Sequence, residues 1–137
     1  MYAIELVNRG DTRYHARSRG YEFVLGPPGS GANPGDAVLA GLCACVGHYV
    51  RDFLKGRGLA SHGFALQAEA ESTPDESRLA SIAVWIDLGD LPLDDAGRAQ
   101  LLAAAARCKI HNTLQAACPV TLALGRRPAQ DATGRRA

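Results

Sequence analysis

The chain has 137 residues and a mass of 14.4 kDa, with 47% hydrophobic residues, 21% charged residues and a formal net charge of +1. That length suits one domain able to bury about two-thirds of its unfolded surface, so neither a disulfide scaffold nor a metal staple is required. The near-neutral balance, with a pI near 7.7, excludes a nucleic-acid binder that works by neutralising phosphates.

From the N-terminus, Tyr2–Val7 alternates apolar and other residues, and Asn8–Asp11 is turn material. Thr12–Ala16 and Tyr21–Leu25 read as two more short strands, which together predict a small antiparallel meander. The first ten residues carry Glu5 and lack the basic-then-apolar layout of a signal peptide, which predicts a cytoplasmic protein. Gly26–Asn33, GPPGSGAN, reads as a loop. Asn33 is then a good N-cap, Pro34 fits the first helical turn, and Asp36 suits the positive end of a helix dipole. Apolar residues recur at Val38, Leu42, Cys45, Tyr49 and Phe53, and again at Leu39, Val46, Val50 and Leu54. This spacing predicts a helix of about 22 residues, stopped by Gly56 and Gly58. Its stretch from Ala37 to Val50 is uncharged nearly all round, which predicts a central buried helix. Asp36 and Arg51–Asp52 bracket that run short of the ~18 residues of a membrane span, so no membrane partner is expected.

Further on, Gly63–Glu71 alternates Phe64, Leu66, Ala68 and Ala70 against polar positions, and Leu79–Leu88 does the same with Ala80, Ile82, Val84, Ile86 and Leu88. Two half-buried strands joined by a turn at Thr73–Glu76 are predicted. Helices follow at Asp94 to about Arg107 and at about Ile110 to Ala116, then a last strand at Pro119–Leu124. Gly125–Ala137 has no apolar pattern and reads as a disordered tail. Residues 1–124 are expected to form one α+β domain.

Four cysteines stand in a compartment that keeps thiols reduced. Cys43 and Cys45 are two residues apart on the long helix, about 200° around its axis, and cannot serve one site together. Cys45 and His48, at i and i+3, share a face, and Cys108 and His111 repeat that spacing. Three chemistries could use this constellation. A thiolate could attack a peroxide, become a sulfenic acid and condense with a second thiol. Cys45, His48, Cys108 and His111 could hold a tetrahedral zinc ion, although the spacings differ from those of zinc fingers. A Cys–His pair could also carry acyl transfer, but no oxyanion-hole motif is visible. Against all three stands plain packing, since free cysteines often behave as small hydrophobes. That reading suits Cys43, in its run of Ala and Leu, and Cys118.

At these residues the sequence resembles the osmotically inducible protein C and organic hydroperoxide resistance proteins (the OsmC/Ohr family). NPGDAVLAGLCAC, Asn33–Cys45, is similar to the family's Asn-Pro-Glu-Glu/Gln-Leu…Ala-Ala-Cys segment. AAARCKIHNTL, Ala104–Leu114, is similar to its Ala-x-x-Cys-Pro-Val-x-x-x-Leu segment. The order of elements agrees over roughly residues 2–124. The resemblance implies an OsmC-like fold and an intertwined homodimer around the long helices. It also implies reduction of organic hydroperoxides at the expense of a dithiol reductant, with no cofactor. Cys45 would be the peroxidatic cysteine and Cys108 the resolving one. The alternative is a non-enzymatic OsmC-like dimer that holds zinc or a small ligand through Cys45, His48, Cys108 and His111. The family supports its reactive cysteine with an arginine and a glutamate. Here the glutamate position falls on Gly35, with Asp36 one residue and 100° further round the helix. Arg9, Arg13 or Arg17 could supply the cation, Arg13 before the other two. Lys109–Ile110 replaces Pro-Val, and His48 could activate the thiolate as an imidazolium.

Overall fold

A computed structural model describes residues 2–129. Its elements in chain order are β1 (Glu5–Asn8), β2 (Tyr14–Ser18), β3 (Tyr21–Leu25), α1 (Pro34–Gly56), β4 (Ala65–Ser72), β5 (Leu79–Asp87), α2 (Asp95–Ala105) and α3 (Lys109–Ala116). The architecture is α+β, with an antiparallel sheet ordered β1-β2-β3 and a separate β4–β5 hairpin. The β2–β3 connection is the two-residue turn Arg19–Gly20, both with positive φ, the mirror-image turn whose twist matches two antiparallel strands.

The loop after β3 folds back on it: Ala32 N–H donates to the Val24 carbonyl at 3.2 Å and Gly26 N–H to the Ala32 carbonyl at 3.0 Å. A side chain at Gly31 would sit 2.5 Å from the Val24 oxygen, so only glycine permits that approach. The return delivers Asn33 as the N-cap of α1, its side-chain oxygen accepting from Gly35 N–H at 2.8 Å. This satisfies one of the four amides a helix start leaves unpaired.

α1 packs against α2, α3 and β4. Its i, i+4 stripe Leu42, Val46, Val50 and Leu54 is buried together with Leu101 and Ala105 of α2 and with Cys108. Phe64, Leu66, Ile82, Val84 and Ile86 form the half-buried floor. The β4–β5 register sets Leu66 opposite Ile86, Ala68 opposite Val84 and Ala70 opposite Ile82, the apolar face expected from the alternation.

Three expectations require correction. The long helix is buried along one stripe only; Val38 is 44% exposed, and Ala40, Gly41 and Ala44 are exposed. Both of its faces are apolar, but one chain supplies a single layer to cover them. By length and composition α1 also passes for a membrane span, so the bracketing charges do not exclude that test. The core helix of a folded protein meets it equally well, and the stripe of α1 is the centre of this core. Finally, Pro119–Leu124 is not a strand: it is irregular, with Val120, Leu122 and Leu124 at 82%, 96% and 106% exposure. Its alternation is that of a strand, but among the described residues it pairs with no sheet edge. The tail expected to be disordered is irregular and exposed as far as residue 129, and the rest of it lies outside the described residues.

Candidate active site

The site forms where the middle of α1 meets the start of α3. α1 carries Cys45 at the head of a second stripe, Cys45–Tyr49–Phe53, half-buried against the core. α2 ends at Ala105 and the chain tightens through two short turns, Arg107 N–H donating to the Ala104 carbonyl at 3.1 Å and Cys108 N–H to the Ala105 carbonyl at 3.2 Å. Those turns place Cys108, fully buried, as the N-cap of α3, where its sulfur accepts from His111 N–H at 3.3 Å. For this reason α3 begins at Lys109, one residue earlier than the apolar pattern implies.

The two sulfurs belong to free thiols, neighbours close enough for each to shift the ionisation of the other. Their acidities move in opposite directions. Burial alone would raise the Cys45 pKa. It is nevertheless lowered, because the Cys108 thiol donates to it, the backbone N–H groups of Ile110 and Lys109 face it, and the Lys109 ammonium adds positive charge. Cys108 is raised, first by burial and then by the anion forming at Cys45, against the opposing amides of His111 and Ile110. The proton therefore stays on Cys108 and the negative charge develops on Cys45, at the positive end of a helix. Cys43, around the same helix, is raised by burial.

The supporting residues expected from the sequence lie elsewhere. Asp36, in the first turn of α1, is nine residues from Cys45, about 13 Å along the axis. Arg13 is exposed in the β1–β2 connection, its backbone held by Asp11 and by the Asn8 side chain. His48 points to solvent, with Nε2 3.4 Å from Asp52 Oδ2 and its ring edge-on to Tyr49. His111 contributes its amide to Cys108, and its ring Nδ1 lies 3.2 Å from Asn112 Oδ1. Among the described residues no group of three or more His, Cys, Asp or Glu side chains could hold a metal ion. The tetrad of Cys45, His48, Cys108 and His111 is therefore not assembled.

The residue that sequence reasoning passed over is Lys109. A proline at the first position of α3 would have no N–H to offer; lysine there supplies both an amide and a charge. The signal was present as the replacement of Pro-Val by Lys109–Ile110. A cavity of about 610 Å³ opens between α1, β5, α2 and α3, and neither Cys45 nor Cys108 lines it. Its walls include Leu42, Val46, Ile82, Ala105 and His111, so it reaches both helices one turn from the sulfurs.

An α+β scaffold with one long helix packed on an antiparallel hairpin and two shorter helices, carrying Cys45 on that helix and Cys108 at the start of α3, is the architecture of an OsmC-like protein. Residues 27–123 match the family described as OsmC-like protein, and the chain belongs to that family. Solved structures share the fold. An OsmC-like protein from Mycoplasma pneumoniae superposes with a TM-score of 0.72 at 20% identity, over 85% of this chain and 89% of that one. A hypothetical protein from Aquifex aeolicus gives 0.70 at 13% identity, over 85% and 89%. A Psychrobacter arcticus protein, provisionally assigned to osmotic stress and detoxification response, gives 0.69 at 18% identity, over 82% and 88%. No curated protein matches the chain in sequence.

Proposed function

We propose that the protein reduces organic hydroperoxides by a two-cysteine mechanism. The Cys45 thiolate attacks the terminal peroxide oxygen and breaks the O–O bond. The alkoxide takes a proton and leaves as an alcohol, and Cys45 is left as a sulfenic acid. The Cys108 sulfur then attacks that sulfur, a disulfide forms and water leaves. An external dithiol returns both cysteines to the reduced state by thiol–disulfide exchange. One arrangement carries this reading: Cys45 on α1 and Cys108 at the start of α3 are neighbours whose ionisation moves in opposite directions, Cys45 favoured and Cys108 opposed. The partner that must resolve the sulfenic acid is thus its neighbour. The cavity of about 610 Å³, with Leu42, Val46, Ile82 and Ala105 among its walls, lies one helical turn along the chain from each cysteine and offers aliphatic contacts to the organic portion of such a substrate.

The working unit we propose is a homodimer. The uncovered face of α1, the exposed Phe23 and Tyr21 of β3, and the alternating Val120, Leu122 and Leu124 together expose more apolar surface than a lone chain of this size usually carries.

The test is consumption of an organic hydroperoxide by the reduced protein with a dithiol in excess. Turnover is expected, and Cys45→Ser should abolish it. Full turnover in that variant would rule the mechanism out.

A further inference from the structure

The cation beside the thiol pair is not free. Lys109 Nζ lies over the ring of Tyr2, 5.2 Å from its centre. The same ring carries the Arg19 guanidinium, also at 5.2 Å. Arg19 occupies the left-handed position of the β2–β3 turn, with φ 48°. Tyr2 itself is 74% exposed and precedes β1. An exposed aromatic ring that holds two cations, one reaching from a hairpin turn and the other from the start of α3, joins the N-terminal sheet to the site. On the opposite flank of Cys108, Arg107 lies over Tyr49 at 5.7 Å, one helical turn beyond Cys45.

We infer that Tyr2 is a positioning residue for the thiol pair: its ring holds the Lys109 ammonium at the N-terminus of α3, on the residue next to Cys108. The inference deepens the hydroperoxide reading above, on which its catalytic meaning rests. A lysine has a long, flexible stem and would otherwise sample solvent, where its charge is screened. Seated on an aromatic face, it is restricted to the start of α3, beside Cys108. The other groups around Cys45 do not replace it. Cys108 donates a hydrogen bond and carries no charge, His48 is engaged with Asp52, and Arg107 is committed to Tyr49. The hydroxyl of Tyr2 takes no part, because the interaction is with the ring face.

The experiment measures the rate at which iodoacetamide alkylates Cys45 in the full-length reduced protein, followed across pH by mass spectrometry of the Cys45 peptide. Tyr2→Leu should move the midpoint upward and slow alkylation at neutral pH about twofold, the scale of an exposed cation–π contact. Tyr2→Phe should keep the wild-type profile, and Lys109→Met should move the midpoint at least as far as Tyr2→Leu. Adding Tyr2→Leu to Lys109→Met should move it no further. An unmoved midpoint in Tyr2→Leu would overturn the inference, as would an equal further shift in the Lys109→Met background. So would a Tyr2→Phe profile like that of Tyr2→Leu. Peroxide consumption does not enter this readout: a protein that shows the expected pattern without turnover would refute the proposed reaction and leave the role of Tyr2 standing.

Discussion

Cys108 performs two tasks that substitution can separate. Its sulfur is the proposed resolving nucleophile, and the same sulfur caps α3 by accepting from His111 N–H at 3.3 Å. Serine keeps a capping oxygen and an O–H to donate to Cys45; alanine keeps neither. Losing an N-cap costs about 1 kcal/mol, a roughly fivefold rise in the population with an opened first turn of α3. Emptying the space of a fully buried thiol adds about 1 kcal/mol more. Cys108→Ala should therefore lower the protection of the His111 amide in hydrogen exchange, whereas Cys108→Ser should leave it near wild type. The pKa of Cys45 should follow the same division, rising toward that of an ordinary thiol in the alanine variant and staying low in the serine variant. Both variants should lose catalytic turnover. Each should consume one equivalent of hydroperoxide per chain and then stop, with a Cys45 sulfenic acid that dimedone traps. Sustained turnover in Cys108→Ser would refute the resolving role, and unchanged His111 protection in Cys108→Ala would refute the capping role.

Two further outcomes follow from other parts of the molecule. Asp75 in the β4–β5 turn is held at a pKa of about 2 by hydrogen bonds from the Thr73 hydroxyl and then from the Ser77 hydroxyl and amide. Its folded value lies below the unfolded one, so its contribution is present above the ordinary carboxylate range, near 4, and is lost as pH falls toward 2. Thermal unfolding between those limits should fall more steeply for wild type than for Asp75→Asn, and equal slopes would contradict the assignment. Sedimentation equilibrium at micromolar concentration should give twice the 14.4 kDa chain mass, with Phe23→Asp and Leu122→Asp shifting it toward the monomer; a monomeric wild type would exclude the dimer.

Much of the scaffold could be read from local chemistry. Asn33, Pro34 and the apolar repeat place α1 correctly because capping and helical periodicity act within a few residues. β3 occupies the span expected, and β4 and β5 differ by only a residue or two at their ends. The failures all involve groups that depend on distant or absent neighbours. Pro119–Leu124 has the alternation of a strand, but a strand exists only where an edge receives it, and pattern alone does not supply the edge. Cysteine is not among the usual capping residues, so nothing local announces that Cys108 starts α3. The cation expected from the sequence was an arginine before residue 18, whereas Lys109 stands next to Cys108. Its effect on Cys45 arises from the packing of α3 against α1, and helical spacing within either segment does not reveal it.

The position of Cys45 on α1 also bears on how accurately the chemistry can be aimed. Its helix is clamped by the stripe Leu42, Val46, Val50 and Leu54, so the nucleophile inherits the stiffness of the hydrophobic core. The partner sulfur is fixed by the backbone of the helix it begins. A reactive pair mounted on loops would spend much of its time out of register, but here both sulfurs are carried by elements whose movement would require the interior to repack. Core substitutions on α1, even ones remote from any substrate, should therefore alter the aim of the thiol as well as the stability of the fold.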